Sequence, residues 1–198
     1  MKILLITVVL ITPLFFLRGY LEKRSIYFPL RAIEATPKDL DLDYEDVAVK
    51  TKDGVQLSGW FIPAKNPRAT ILFSHGNGGN ISHRMEKINM LSFLNLNVLI
   101  FDYRGYGGSM GSPSEEGLYL DAEAMYDYLL NKKGSIPPEI IAYGESLGGA
   151  VVIDLAGKHE LGGIIIEGGF TSIKEMAKRL APFIPPSVIK SKFDSLEK

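Results

Sequence analysis

The sequence contains no cysteine and only three histidines in 198 residues. The absence of cysteine excludes a disulfide framework, a thiolate metal site and a lipid-modified cysteine. The histidines His75, His83 and His159 are scattered and show none of the spacings that are typical of zinc sites. We therefore expect neither a metal ion nor an organic cofactor.

The chain also has no marked excess of positive or negative charge. The chain has 22 Lys and Arg residues against 23 Asp and Glu residues, which gives a formal net charge of −1. No stripe of basic residues follows a predicted helix, so we expect no nucleic-acid partner. The hydrophobic content of 46% is sufficient for one globular domain with a sizeable core. These numbers leave the oligomeric state open.

One long apolar stretch occurs at the amino terminus. Residues 3–17 are apolar apart from Thr7, Thr12 and Pro13, and as a helix they would extend about 22 Å, which is short for a membrane span. No small-residue cleavage site follows, so an uncleaved membrane anchor over residues 1–20 is favoured over a signal peptide or a buried core helix. The excess of basic residues after this segment weakly favours a cytoplasmic domain over residues 21–198.

Strand patterns dominate the first half of this domain. Residues 46–51 and 55–63 alternate apolar and polar side chains around Asp53-Gly54, which predicts an antiparallel hairpin. Four short continuous apolar runs come next and are typical of strands buried on both faces of a parallel sheet. These runs are residues 69–73, 98–101, 140–143 and 164–166.

Helical patterns separate the apolar runs. Apolar residues at helical spacing predict crossover helices over residues 81–93 and 118–129, and a further helix over 147–155. Ser172-Ile173-Lys174-Glu175 matches a capping box, which predicts a last helix that ends before Pro182. The sequence therefore predicts an α/β fold with a mostly parallel sheet.

The most informative motif is Gly144-Glu145-Ser146-Leu147-Gly148, directly after the run at residues 140–143. G-x-S-x-G between a strand and a helix is the pattern of a nucleophile elbow. Small neighbours let the strand and helix backbones pass closely, and the turn exposes the serine hydroxyl at the carboxyl edge of the sheet. Ser146 is therefore the candidate catalytic nucleophile.

Two glycine-rich loops accompany the elbow. Residues 74–80, with the sequence SHGNGGN, follow one buried strand, and residues 101–109, with the sequence FDYRGYGGS, follow the next. In this order and context the three motifs resemble the α/β-hydrolase superfamily. The apolar amino terminus, residues 24–29 and residues 167–172 are similar to the membrane-anchored ABHD-type serine hydrolases. The resemblance covers about residues 20–198.

The resemblance implies hydrolysis of an acyl ester or a related carbonyl compound, with a small molecule or a lipid as the substrate. Ser146 would attack the carbonyl carbon. The backbone N–H groups of Asn77 and Leu147 would form the oxyanion hole. Residues 74–80 lack the Gly-Lys-Ser/Thr of a phosphate-binding loop, which argues against nucleotide binding, and they lack the glycine spacing of a dinucleotide-binding turn, which argues against a Rossmann-type oxidoreductase.

The triad partners of Ser146 are harder to assign. In this superfamily an acid and then a histidine follow the serine, but only His159 follows Ser146, and it would lie about 18 Å along an unbroken helix. His75 and His83 precede the serine and are poor candidates for the base. Glu167 could face the site as an acid, although a structural hydrogen-bonding role is favoured, and Asp194 is not expected to be the acid.

The simplest expectation is a hydrolase that lacks its last two strand–helix units, together with the triad acid and histidine. A strand over residues 163–167 would then leave an unpaired edge. The alternative is a non-catalytic, membrane-tethered binding or scaffold protein with a hydrolase fold. We expect Glu145 to be structural, and Asp102 and Arg104 to form an ion pair that stabilises their turn rather than to contact the substrate.

Overall fold

The structure is a computed structural model that describes residues 24–180 and 191–197. The anchor predicted over residues 1–20 lies outside these ranges, as does the end that was predicted for the last helix before Pro182. Within the described ranges, no helix is long and apolar enough to cross a membrane. The anchor therefore stays a prediction.

Besides the helical residues 24–26, the described domain contains eight strands and four α-helices. The strands are β1 (Phe28–Pro29), β2 (Glu45–Lys50), β3 (Gln56–Ile62), β4 (Thr70–Ser74), β5 (Gly78–Gly79), β6 (Asn97–Phe101), β7 (Ile140–Glu145) and β8 (Gly163–Glu167). The helices are α1 (Met85–Phe93), α2 (Glu115–Lys133), α3 (Leu147–Ala156) and α4 (Ile173–Leu180). Short 3-10 turns at Pro37–Leu40, Ile81–Arg84 and Pro137–Glu139 precede β2, α1 and β7.

Six of the strands form one sheet in the order β2-β3-β6-β4-β7-β8. β2 and β3 are antiparallel, and β3 is also antiparallel to β6, whereas β6, β4, β7 and β8 are parallel to one another. The predicted hairpin and the mostly parallel sheet are thus confirmed. Because β4, β6 and β7 run in the same direction, the loops after them meet at one edge of the sheet.

The central strands are buried on both faces, as their continuous apolar sequences predict. All five residues of β4 are buried, as are the last four of β6. The same prediction is wrong for β8, where Ile164, Ile165 and Ile166 are 44%, 44% and 41% exposed. β8 is the last strand of the sheet, and no described strand pairs with its outer side.

The helix predictions are confirmed with small changes at the ends. The segment predicted as one helix over residues 81–93 begins as a 3-10 turn and becomes α-helical at Met85. Ser172 caps α4, since its Oγ accepts a hydrogen bond from the Glu175 N–H at 3.2 Å. The core lies in two apolar clusters built around Leu99 and Ile100, neighbours in β6 whose side chains point to opposite faces of the sheet.

A second, two-stranded sheet was not predicted from the sequence. β1 pairs in parallel with β5, so that Phe28 lies opposite Gly78 and Pro29 opposite Gly79. β1 belongs to the segment Ile26–Glu34, which we call the strap. The strap crosses the edge of the main sheet at which the loops after β4 and β6 meet.

Candidate active site

The elbow predicted at Ser146 has the backbone geometry of a strained turn. Ser146 connects β7 to α3 with φ 50° and ψ −109°, a positive φ that non-glycine residues rarely adopt. A Cβ on Gly144 would overlap the carbonyl of Gly148, and a Cβ on Gly148 would overlap the carbonyl of Ser74. The two glycines of the motif are therefore required for the strand and the helix to approach this closely.

The elbow presents its hydroxyl and one backbone donor toward the edge of the sheet. The Ser146 N–H donates to the Glu167 carbonyl at 2.8 Å, which ties the turn to β8, and the Ser146 side chain is partly exposed. Leu147 is the first residue of α3, so its N–H has no partner within the helix. An N–H at a helix amino terminus favours negative charge.

Asn77 lies in the loop after β4, which we call the oxyanion loop (residues 75–80). The loop is rich in glycine, and Asn77 is partly exposed. The His75 ring Nδ1 lies 2.7 Å from the Gly76 carbonyl oxygen. A carbonyl oxygen can only accept, so Nδ1 carries the proton. Because the peptide unit is planar and trans, a fixed Gly76 carbonyl also fixes the direction of the Asn77 N–H.

His75 is buried and neutral. Burial, with a further contribution from the Arg84 charge, lowers the pKa of His75 from 6.5 to about 3. Its Nε2 has no hydrogen-bond partner among the described residues and lies 4.0 Å from Asp102 Oδ1. The ring packs against Tyr103 and Tyr106, with centroid distances of 4.5 and 5.4 Å. Its contacts are those of a structural residue under the oxyanion loop.

The other two histidines also have partners away from Ser146. His83 Nδ1 lies 3.2 Å from the Asn80 N–H, which donates to it, and its Nε2 is 3.7 Å from Glu34. His159 lies beyond the end of α3, and its ring packs on Tyr126 at a centroid distance of 4.7 Å. Since the helix ends at Ala156, the unbroken helix assumed for His159 is not observed. Within the described residues, none of the three histidines forms a hydrogen bond with Ser146.

The prediction that Asp102 and Arg104 form an ion pair with each other is wrong. Arg104 instead pairs with Asp53 at 2.7 Å and with the fully buried Asp121 at 2.8 Å. The Arg104 guanidinium lowers the pKa of Asp53 to about 2, whereas burial raises the pKa of Asp121 to about 6. The expected structural role of Arg104 is observed, because these bonds fasten its loop to α2 and to the β2–β3 turn.

Asp102 accepts hydrogen bonds from backbone N–H groups of two loops. Its Oδ1 accepts the Ile81 N–H at 3.0 Å, and its Oδ2 accepts the Gly108 N–H at 3.3 Å. Burial raises the pKa of Asp102 to about 6, against the effect of these two hydrogen bonds. Asp102 therefore joins the loop after β6 to the segment that follows the oxyanion loop.

The acidic residues next to the elbow have basic partners. Glu145 forms an ion pair with Arg84 at 2.7 Å, in line with the structural role expected for it. Glu167 pairs with Lys87 at 2.8 Å and accepts a hydrogen bond from the Tyr143 hydroxyl. These contacts fit the structural role favoured for Glu167. Asp194 follows Phe193, which is buried among the rings of Tyr27, Tyr119 and Phe170.

Three groups around the oxyanion loop were missed by sequence reasoning. They are Tyr103, Tyr106 and the strap. The tyrosines lie within the motif at residues 101–109, but the motif gives no sign that their hydroxyls reach another loop. For the strap, the sequence at residues 24–29 carries only a resemblance and predicts no strand. A period of two or 3.6 cannot be detected over so few residues.

The fold and the turn at Ser146 together are those of the α/β-hydrolase fold. The chain belongs to the Hydrolase_4 family, described as serine aminopeptidase, S33, whose model matches residues 65–195. The solved structures to which it is similar include an esterase from Pyrococcus furiosus, with 28% identity, a TM-score of 0.67 and coverage of 82% of this chain and 66% of that one. An α/β-hydrolase from Vibrio vulnificus is similar with 26% identity, a TM-score of 0.73 and coverage of 84% and 65%.

Curated relatives include longer proteins from eukaryotes. Protein bem46 of Schizosaccharomyces pombe is 40% identical over 154 residues, which cover 75% of this chain and 52% of bem46. The α/β-hydrolase domain-containing protein WAV2 of Arabidopsis thaliana is 38% identical over 175 residues, which cover 82% of this chain and 56% of WAV2. The chain thus spans a little over half the length of these relatives.

Proposed function

We propose that this protein is a serine hydrolase that cleaves acyl esters or related carbonyl compounds through Ser146. The observation that carries the proposal is the strained backbone of Ser146 between two glycines that cannot be replaced without overlap. Strain of this kind persists where the surrounding structure imposes it, and it is concentrated at active sites. The esterase from Pyrococcus furiosus among the similar structures supports the reaction class.

In the proposed reaction, the Ser146 Oγ attacks the carbonyl carbon of the substrate and transfers its proton to a base. The carbonyl oxygen becomes an oxyanion that accepts hydrogen bonds from the N–H groups of Asn77 and Leu147. Collapse of the tetrahedral intermediate expels the alcohol and leaves an acyl group on Ser146, and water then releases the acid. The amino-terminal end of α3 adds favourable electrostatics for the oxyanion.

None of the three histidines, all of which lie in the described part of the chain, has contacts that fit the base of this mechanism. His75 is buried and neutral with its Nδ1 proton committed to Gly76, His83 is bonded within its own turn, and His159 packs on Tyr126. Removal of a triad member lowers turnover by about 10⁴-fold to 10⁶-fold. We therefore expect the 198-residue chain to hydrolyse small esters very slowly.

Imidazole added to the medium can act as the base and so test the proposal. The full chain is mixed with p-nitrophenyl acetate in increasing imidazole, and the first turnover is followed as release of p-nitrophenol. We expect an imidazole-dependent burst of up to one equivalent, with the acetyl group on Ser146 by mass spectrometry. The matched control is Ser146→Ala under the same conditions, since imidazole also cleaves the ester directly.

The outcomes separate the two candidate functions. A burst that is absent from Ser146→Ala supports the hydrolase. Equal ester cleavage by both proteins at every imidazole concentration favours the alternative, a binding or scaffold protein with a hydrolase fold, which the positions of the three histidines make the second candidate. Fast Ser146-dependent turnover without imidazole would mean that the chain holds its own base, and His75 or His83 would then be reconsidered first.

We also propose that residues 1–20 hold the protein at a membrane, because residues 3–17 are almost uninterrupted in apolar character. Membrane fractionation of the full chain, followed by sequencing of its amino terminus, tests this. We expect the intact chain in the detergent-extractable membrane fraction. Recovery in the supernatant after high-speed sedimentation would contradict the anchor, and a processed amino terminus would identify a signal peptide instead.

A further inference from the structure

Between the buried side chains of His75 and Asn80, the oxyanion loop has little side-chain packing to hold its conformation. Three of the five residues from His75 to Gly79 are glycines, and a Cβ at Gly78 would meet nothing within 4 Å. Glycine has the largest backbone freedom to lose on folding. A loop that must keep one N–H aimed at a reacting oxygen therefore needs hydrogen bonds from other parts of the chain.

The strap supplies several of these hydrogen bonds. The Phe28 N–H donates to the Asn77 carbonyl at 3.1 Å, and the Leu30 N–H donates to the Gly79 carbonyl at 3.1 Å. In the other direction, the Asn77 side-chain amide donates to the Ile26 carbonyl at 3.0 Å. Asn77 is thus fastened to the strap through its side chain and through its own carbonyl.

Two tyrosines of the loop after β6 also donate hydrogen bonds to the oxyanion loop. The Tyr103 hydroxyl donates to the His75 carbonyl at 2.9 Å, and the Tyr106 hydroxyl donates to the Asn77 carbonyl at 2.9 Å. The Gly76–Asn77 peptide, whose N–H is the candidate oxyanion donor, lies between these two anchored carbonyls. The Asn77 carbonyl now has two donors, from Phe28 and Tyr106, which use both of its lone pairs.

The strap is itself fixed to the loop that carries the tyrosines. The Gly107 N–H donates to the Leu30 carbonyl at 2.9 Å. The Arg31 guanidinium donates to the Gly107 carbonyl at 3.1 Å and also to the Ser109 carbonyl. The strap, the oxyanion loop and the loop after β6 therefore form one hydrogen-bonded unit.

We propose that the strap and the Tyr106 hydroxyl position the Asn77 N–H for the oxyanion, so that a segment outside the residues matched by the family model is part of the catalytic apparatus. The inference rests on the proposed function, because it assumes that Asn77 donates to the reacting oxygen. Tyr106 and Arg31 act through the oxyanion loop and are positioning residues.

The test uses the full chain and two substitutions, each of which removes one side-chain donor. Tyr106→Phe removes the hydroxyl that donates to Asn77, and its matched control is Tyr126→Phe, which removes a hydroxyl that donates to the Glu160 carbonyl at 2.8 Å. Arg31→Met removes the guanidinium bonds between the strap and the loop after β6 and keeps the Gly107–Leu30 backbone bond; its control is Arg68→Met, a change at an exposed arginine.

Two measurements are made on each variant. The first is amide hydrogen exchange of the peptide that spans residues 75–80. The second is the rate at which a fluorophosphonate modifies Ser146, a reaction in which the serine oxygen bonds to phosphorus, fluoride leaves and the serine proton passes to water. We expect about fivefold faster exchange and about fivefold slower modification for Tyr106→Phe, the size of effect that one lost hydrogen bond gives. Arg31→Met should change both rates in the same directions.

The control variants should leave both rates unchanged. Unchanged exchange in Tyr106→Phe and Arg31→Met would overturn the inference, as would faster exchange with an unchanged modification rate, because the strap would then hold the loop without positioning the donor. If wild-type Ser146 is not modified at all, the proposed function fails and the catalytic part of the inference fails with it. The exchange rates would still decide whether the strap holds the loop.

Discussion

The two turns that meet at the candidate oxyanion position are held by different forces. The elbow is determined by contacts among residues 144–148 and the adjacent β4, since its glycines are the only residues that fit against the Gly148 and Ser74 carbonyls. The oxyanion loop is held by hydrogen bonds with residues 29 and 51 positions away in the chain: the Asn77 carbonyl accepts from the Tyr106 hydroxyl, and the Asn77 side-chain amide donates to the Ile26 carbonyl. A steric turn resists all change at a few positions, whereas a hydrogen-bonded loop can be loosened one contact at a time.

The largest effect on the elbow is expected from Gly148→Ala. The added Cβ would overlap the Ser74 carbonyl, which belongs to the central strand β4 and cannot move away, so we expect a loss of about 3 kcal/mol or more in the free energy of unfolding. Urea unfolding measures it. Gly163→Ala is the matched control, because a Cβ there would meet nothing within 4 Å. A Gly148→Ala protein as stable as Gly163→Ala would contradict the steric account of the elbow.

The free energy of unfolding should depend on pH through His75, the first residue of the oxyanion loop. The pKa of His75 is about 3 in the folded state, below its ordinary value of 6.5. As the pH falls, the unfolded chain therefore binds a proton at His75 before the folded chain does. The contribution of neutral His75 to stability is fully present above pH 6.5 and is lost as the pH falls toward 3. His75→Gln cannot titrate. The unfolding free energy of wild type minus that of His75→Gln should fall by up to about 1.4 kcal/mol per pH unit below pH 6.5.

Urea unfolding of both proteins between pH 7.5 and 4.5 measures this difference. Burial raises the pKa of Asp102, 4.0 Å away, to about 6, and this opposes the His75 effect as the pH falls. Asp102 is present in both proteins, so its contribution largely cancels in the difference. A difference that stays constant with pH would show that His75 is not held neutral by burial.

The smallest effects are expected at Ser146 itself. Ser146→Ala removes a partly exposed hydroxyl and keeps the strained backbone, so its stability should stay within about 0.5 kcal/mol of wild type. Ser146→Gly relieves the positive φ of 50° and should be more stable by about 1 kcal/mol. Thermal unfolding compares the three proteins. A large loss in Ser146→Ala would instead assign the hydroxyl a structural hydrogen bond.

This difference between the two turns also explains how far the sequence could predict the structure. The elbow, the antiparallel hairpin and the parallel strands follow from local patterns, such as glycines at fixed spacing and continuous apolar runs. The strap does not, because its two residues in β1 depend on a partner 50 positions later, Gly78 for Phe28. For Arg104, the sequence predicts an ion pair, but its partners Asp53 and Asp121 come together only in the folded chain.

The burial of β8 also could not be predicted from the sequence. An apolar run such as residues 164–166 predicts a strand, but the pattern cannot tell how many elements lie against it. Ile164 to Ile166 are each more than 40% exposed in the described structure, whereas the equally apolar β4 is wholly buried. Position in the sheet, and not composition, decides the burial of these two strands.

The central claim is that the elbow makes Ser146 the reactive nucleophile, and site-resolved labelling with a fluorophosphonate tests it most directly. The full chain, Ser146→Ala and urea-unfolded wild type are treated for hours and then mapped by peptide mass spectrometry. The account predicts a slow, single adduct on Ser146 of the folded chain and none in the other two samples. An adduct of equal yield in Ser146→Ala, or no adduct on Ser146 at saturating reagent, would contradict it.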